Sequence, residues 1–247
     1  MNQETVLITG GTSGIGLATA QLLHKRGANV LVTGRNPETI RSARSVLPDE
    51  VAIVQADVAS LDDTERVIGE VRDRFGSLTG LFLNAGINKA MPFETVDENT
   101  YDEVFATNAK GQFFVLQKAL PLLADAASVV FTVGIAATRG LAGMSLGAGS
   151  KGALLTMLPS LAVELAPRGV RVNAVSPGAI STPIWTKSGM SAEQLTAVTE
   201  SMAAAIPLRR LGEGPEVAAA VAFLLSDDAS YITGENIVIG GGAGLRV

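Results

Sequence analysis

The sequence predicts an α/β fold, a doubly wound parallel sheet with helices on both faces. Three observations carry that expectation: seven short runs rich in Val, Ile and Leu, little polar alternation within them, and helix-period stretches between them. Strands covered on both faces lose the alternation of a half-exposed sheet, and strands that alternate with helices pack in parallel.

In chain order the expected strands are Thr5–Thr9, Asn29–Thr33, Val51–Gln55, Leu78–Leu83, Ser128–Val133, Val170–Val175 and Asn236–Ile239. The expected helices are Gly14–Arg26, Pro37–Leu47, Leu61–Phe75, Thr100–Leu123, Met144–Ala166 and Pro215–Leu225. Pro37 and Pro215 suit first-turn positions, and Gly27 and Gly76 suit helix ends. No repeat, low-complexity tract or linker marks a boundary, so residues 1–247 read as one domain. The interval from Ile180 to Leu211 is longer than a simple connection, and at the carboxyl edge of a sheet such an insertion reads as a substrate lid.

Composition closes off much chemistry. The chain has no Cys and one His, His24, which removes disulfides, thiolate nucleophiles and Cys-ligated zinc, and argues against His-based metal sites and Ser-His-Asp catalysis. The net charge of −5 argues against a general grip on nucleic acid. The longest uncharged stretch, Thr5 to His24, is broken by Gly10, Gly11, Gly14 and Gly16, so no membrane span is expected. The start, Met1-Asn2-Gln3-Glu4, lacks the character of a signal peptide, which makes cytoplasmic location the expectation.

The first strand runs directly into Thr9-Gly10-Gly11-Thr12-Ser13-Gly14-Ile15-Gly16 and then a helical pattern. Gly10, Gly14 and Gly16 allow a tight turn, close backbone approach to a pyrophosphate, and close packing of helix on sheet, with the positive helix end facing the phosphates. The spacing is Gly-x-x-x-Gly-x-Gly rather than the usual dinucleotide fingerprint. Together with Asn84-Ala85-Gly86, the TNAKG segment around Asn108, and Pro177-Gly178, this turn resembles the short-chain dehydrogenase/reductase family, in order and over nearly the whole chain. The resemblance implies a Rossmann-type domain of about seven strands, a nicotinamide cofactor, a small-molecule substrate and a homo-oligomer, tetramer or dimer. The chain-end segment GGGAGLRV and the apolar helices around 100–123 and 144–166 are the expected contributors to subunit contacts.

Cofactor choice is read at the end of the second strand, where an acid would bind a ribose 2′-hydroxyl and repel a 2′-phosphate. Here the strand runs into Gly34-Arg35-Asn36, and the fork of Arg35 suits a phosphate dianion, so NADP(H) is favoured over NAD(H). The competing assignment for Arg35 is a solvated surface side chain, or one stacked on adenine. By resemblance Asp57-Val58 contact adenine, although Asp57 at a strand end also suits a capping role. Ile180 and Thr182 would then approach the nicotinamide amide and the pyrophosphate.

The family pattern places a Tyr four residues before a Lys, a Ser thirteen residues before that Tyr, and an Asn on an earlier helix. Lys151 and Asn108 match the Lys and the Asn, but the other two positions fall on Gly147 and Gly134. The only tyrosines, Tyr101 and Tyr231, are too distant in sequence for a shifted alignment to restore the motif. Thr132 points to the same side as Gly134 but a step deeper, and Ser145 reads as a helix cap. A positioned proton donor is worth typically ~10²–10⁴ in rate and an oxyanion donor roughly 10²–10³, so ordinary ketone chemistry should be crippled.

Two functions follow. One is an oxidoreductase with an altered site, Gly134, Gly147 and Trp185 bordering a substrate that needs little protein acid: an iminium, an activated alkene or a self-activated carbonyl. The other is a catalytically inactive NADP(H)-binding regulatory or structural subunit. Trp185, the only Trp, suits stacking on a flat or cationic substrate or, equally, anchoring the lid; Arg209 and Arg210 read as a solvated face, and His24 as structural.

Overall fold

The computed structural model describes residues 4–182 and 191–245. A seven-stranded, wholly parallel sheet runs in the order β3-β2-β1-β4-β5-β6-β9. Its strands are β1 (Thr5–Thr9), β2 (Asn29–Gly34), β3 (Ala52–Gln55), β4 (Leu78–Leu83), β5 (Leu123–Thr132), β6 (Arg171–Pro177) and β9 (Asn236–Ile239). Two short strands, β7 (Ile180–Ser181) and β8 (Gly212–Glu213), pair with each other. The helices are α1 (Gly14–Lys25), α2 (Pro37–Arg44), α3 (Leu61–Phe75), α4 (Glu98–Phe105), α5 (Gln112–Ala119), α6 (Ser145–Leu165), α7 (Ala192–Ala205) and α8 (Gly214–Leu225).

The missing polar alternation has a direct cause. Val6, Ile8, Val30, Val32, Phe82 and Val130 point into one core with α1, α2 and α8. Leu7, Leu31, Leu81, Leu83, Val129 and Phe131 point into the other with α3, α5 and α6. Each fully buried Leu, Ile or Phe contributes roughly 1.5–3 kcal/mol, so both faces demand apolar residues at every position. Strand order reverses between β1 and β4, and ligands of such sheets bind beyond the carboxyl ends at this reversal. The Gly-rich turn follows β1 and Asn84-Ala85-Gly86 follows β4, so both lie at that crevice.

Three expectations are corrected. The helix expected over Thr100–Leu123 is α4, a π-helical turn at Ala106–Gly111, then α5 and a 3₁₀ turn at Leu120–Leu122. Hydrophobic period persists through the wider π turn, which centres on Asn108 and therefore leaves no break in the apolar pattern. Strand β5 starts at Leu123 rather than Ser128, its register against β4 shifting between Leu78 and Gly80. Within the 180–211 insertion lies α7, announced by a capping box in which Ser191 and Gln194 bond each other's backbone N–H.

Candidate active site

At the phosphate turn, Ser13 precedes α1 in extended conformation without a side-chain cap, which leaves the first-turn N–H groups to an outside acceptor. Gly16 is required by contact: a Cβ there would lie 2.3 Å from the Gly10 carbonyl oxygen and 2.7 Å from Asn84 Nδ2. At Gly10, with φ +65°, a Cβ would lie 2.8 Å from Ala85 Cα. Thr182 Cγ2 stands 3.4 Å from a Cβ built on Gly14, so the insertion begins against the turn. Thr12 is buried and its hydroxyl lies 3.1 Å from that of Thr39. Ile15 opens α1 beside it.

Asn84 ties three strand ends together. Its Nδ2 donates to the Thr9 and Gly10 carbonyls at 3.3 and 3.1 Å, and its Oδ1 accepts from Thr132 Oγ1 at 3.1 Å. Its backbone N–H and that of Ala85 both donate to Thr9 Oγ1, which donates to Gln112 Oε1. Gln112 Nε2 in turn bonds the Ala85 carbonyl. The Asn84 amide is thus spent on shaping the crevice, and Thr132 is spent on Asn84. Gln112 was not singled out from sequence; its complete burial is visible only in the fold.

A cleft of about 770 Å³ opens at the far end of the crevice, lined by Arg35, Asn36, Arg41, Gln55, Asp57 and Asp63 among others. Arg35 lies 3.4 Å from Asp57 and 3.8 Å from Glu103. Asp57 Oδ1 also accepts the Ala59 N–H, the capping alternative raised by its position, and its own N–H donates to Asp63. That N–H bond, with Arg66, holds the Asp63 carboxyl below its ordinary pKa. The Val58 carbonyl abuts Gly111. Arg41 adds a second guanidinium to the same cleft.

At the catalytic end, Asn108 is fully buried in the π turn. Its Oδ1 accepts the Ile87 N–H at 2.8 Å, and its Nδ2 donates to the Ile87 carbonyl at 2.9 Å and to Ser150 Oγ at 3.0 Å. The Lys151 Nζ is buried without a hydrogen-bond partner among the described residues, and desolvation lowers its pKa to about 8. It stands 2.9 Å from a Cβ built on Gly86, with Asn108 Oδ1 at 3.1 Å from the same point. Glycine at 86 therefore leaves the lysine head the space it occupies. A buried ammonium without a partner wants acceptors, and hydroxyl groups such as those of a ribose would supply them.

Neither glycine at the missing hydroxyl positions is replaced by a neighbour. A Cβ on Gly134 would meet nothing closer than the Pro177 carbonyl at 3.9 Å, but φ is +115°, a conformation that L side chains rarely adopt. Gly147 is buried in the first turn of α6, and its Cβ would lie 3.1 Å from Asn88 Oδ1. Ser150 bonds Asn108 and the Gly147 carbonyl, and Thr138 bonds the Ile135 carbonyl. The capping role expected of Ser145 is not found, because Met144 occupies the cap and makes no side-chain bond. Tyr101 stacks on Phe105 at 4.4 Å, and Tyr231 is fully exposed. Gly178 packs 2.8 Å from Gly240 Cα at the Cβ position, and Ile180 is buried against Gly212. Trp185 lies outside the described residues.

The geometry defines a Rossmann-type α/β protein with a Gly-rich crevice at its strand reversal and a buried lysine beside Gly86. Residues 10–244 match the family model described as enoyl-(acyl carrier protein) reductase. The chain is 37% identical over 249 residues to levodione reductase of Leifsonia aquatica, covering 97% of this chain and 93% of that protein. It is 35% identical over 244 residues to 3-oxoacyl-(acyl-carrier-protein) reductase FabG of Thermotoga maritima, covering 97% of each. A short-chain dehydrogenase/reductase (glucose/ribitol dehydrogenase) from Brucella melitensis superimposes with a TM-score of 0.90 at 35% identity, over 98% of this chain and 97% of that one. The chain belongs to the short-chain dehydrogenase/reductase family of oxidoreductases. No described helix is long and apolar enough to cross a membrane, and no cluster of three potential metal ligands occurs among the described residues.

Proposed function

We infer that the protein is an NADP(H)-dependent oxidoreductase that reduces a substrate needing no protein acid, an iminium before an activated alkene or a self-activated carbonyl. One observation carries this reading: Lys151 Nζ is buried without a hydrogen-bond partner among the described residues, while glycines stand where the Tyr and Ser hydroxyls would be. Lys151 and the Gly10–Gly16 turn would hold the ribose and pyrophosphate; a reduced nicotinamide, once bound, supplies hydride. Hydride arriving at a carbonyl builds negative charge on oxygen and calls for a donor, whereas an iminium becomes a neutral amine and calls for none.

NADP(H) preference is supported by Arg35 and Arg41 lining one cleft, since guanidinium forks suit a 2′-phosphate; Arg35 would exchange its contacts to Asp57 and Glu103 for it. Substrate access over the 180–211 insertion and homo-oligomer formation belong to the same reading. For the latter, the outer faces of α4–α6 expose Phe113, Phe114 and Met157 around an apolar groove. The test is fluorescence titration of wild type and Arg35→Ala with NADPH and NADH. Wild type should prefer NADPH, and the substitution should weaken NADPH about tenfold or more while leaving NADH nearly unchanged. Equal loss for both would remove the 2′-phosphate role.

A further inference from the structure

We propose that Glu103 is a cofactor-discriminating residue: from α4 it competes with a 2′-phosphate for Arg35 and so moderates the preference for NADP(H) over NAD(H). The proposal deepens the cofactor reading and rests on it for the role of Arg35. Arg35 Nη2 lies 3.8 Å from Glu103 Oε1, and Glu103 Oε2 is paired with Lys89 Nζ. The other nitrogen of the fork, Arg35 Nη1, lies 3.4 Å from Asp57 Oδ2.

Topology makes these two contacts unequal. In the order β3-β2-β1-β4, Arg35 follows β2 and Asp57 follows β3, on one side of the strand reversal. Lys89 follows β4 and Glu103 lies on α4, on the other side. The Arg35–Asp57 pair therefore stays within one wall, whereas the Arg35–Glu103 pair joins the two walls across the crevice. Each end is tethered on its own side. Gln55 Nε2 donates to the Arg35 carbonyl at 3.2 Å, and the Lys89 ammonium holds Glu103 to the segment after β4. When Arg35 turns to a phosphate, Glu103 keeps Lys89 and does not follow.

The rival groups set the direction of the effect. The Arg35 and Glu103 side chains are 50% and 41% exposed, and 3.8 Å is a charge contact without a hydrogen bond, so the pair is weak and open to displacement. A 2′-phosphate dianion offers the guanidinium fork several acceptor oxygens and displaces a single carboxylate. A 2′-hydroxyl is neutral and gives Arg35 no cause to leave Glu103. Binding of NADP(H) thus gives up one ion pair that binding of NAD(H) keeps.

Fluorescence titration of wild type, Glu103→Gln, Arg35→Ala and the double variant with NADPH and NADH tests the proposal. NADH binding reports folding and an intact crevice in each variant. Glu103→Gln should tighten NADPH about two- to fivefold, the worth of an exposed ion pair, and leave NADH nearly unchanged. In the Arg35→Ala background the same substitution should leave the ratio of the two affinities as it was, because the guanidinium it competes for is gone. An unchanged ratio in Glu103→Gln, or equal tightening of both cofactors, would overturn the proposal. So would a gain of the same size without Arg35, the mark of one negative charge fewer acting through space. If Arg35→Ala alone weakens NADPH selectively and any of those results appears, the cofactor reading stands and the role of Glu103 falls. Equal weakening of both cofactors by Arg35→Ala removes the cofactor reading and the proposal with it.

Discussion

Burial of the Lys151 ammonium is an electrostatic cost to the fold. Its unfolded pKa of 10.5 falls to about 8 by desolvation, with no hydrogen bond from a described residue to offset it. Between pH 8 and 10.5 the unfolded chain binds more protons than the folded one, so this residue's contribution to stability rises with pH and is least favourable below 8. The cost at neutral pH is about 3 kcal/mol. Lys151→Met should therefore raise the denaturant midpoint at pH 7 and lose that advantage near pH 11, while NADPH affinity collapses. A destabilised midpoint at pH 7 would mean that the ammonium has a partner in the folded protein. Gly134 shows the opposite constraint. Space beside it is open, yet with φ +115° a side chain is strained, so Gly134→Ser should cost roughly 1–3 kcal/mol in chemical denaturation. The family's serine thus cannot be returned by a single substitution without backbone rearrangement.

At the scale of elements, the π turn at Ala106–Gly111 is what aims Asn108 at Ile87, Ser150 and the crevice. Asn108→Ala leaves both polar groups of the Ile87 peptide unpaired, a loss of roughly 2–3 kcal/mol, and it frees the segment that follows. Hydrogen exchange should rise at Ile87 and through residues 84–91, with little change in β1–β3; uniform protection would show that the clamp is dispensable. This turn also marks where sequence reading stopped. Apolar spacing over 100–123 passes unbroken through α4, the π turn and α5, because a π turn adds a residue without removing the buried face. The seven strands were legible because strands with two buried faces need Val, Ile and Leu throughout. The Gly-rich turn was legible because Gly16 and Gly10 admit no Cβ. Asn84 read as a cofactor contact, and only coordinates show its amide consumed by Thr9, Gly10 and Thr132. In α7 the signal was present, Ser191-Ala192-Glu193-Gln194 being a capping-box pattern inside the insertion.

For the whole molecule, the parallel sheet keeps apart two regions, the crevice at the strand reversal and the β5–α6 connection. The reversal between β1 and β4 builds the crevice from backbone, glycines and Asn84, none of which depends on residues 134 or 147. Gly134 and Gly147, where the resemblance expects hydroxyls, sit in the β5–α6 connection and the first turn of α6, ahead of Lys151. One half can be altered without dismantling the other. The family is recognisable over 97% of the chain, with Gly134 and Gly147 where the resemblance expects Ser and Tyr. The most direct test is single-turnover absorbance at 340 nm with NADPH bound, following 3,4-dihydroisoquinoline against cyclohexanone at matched saturation. The account predicts that the imine is reduced at least about a hundredfold faster, the range a missing proton donor commands, with no rate limb from a titrating phenol. Ketone reduction at a rate equal to that of the imine would contradict it.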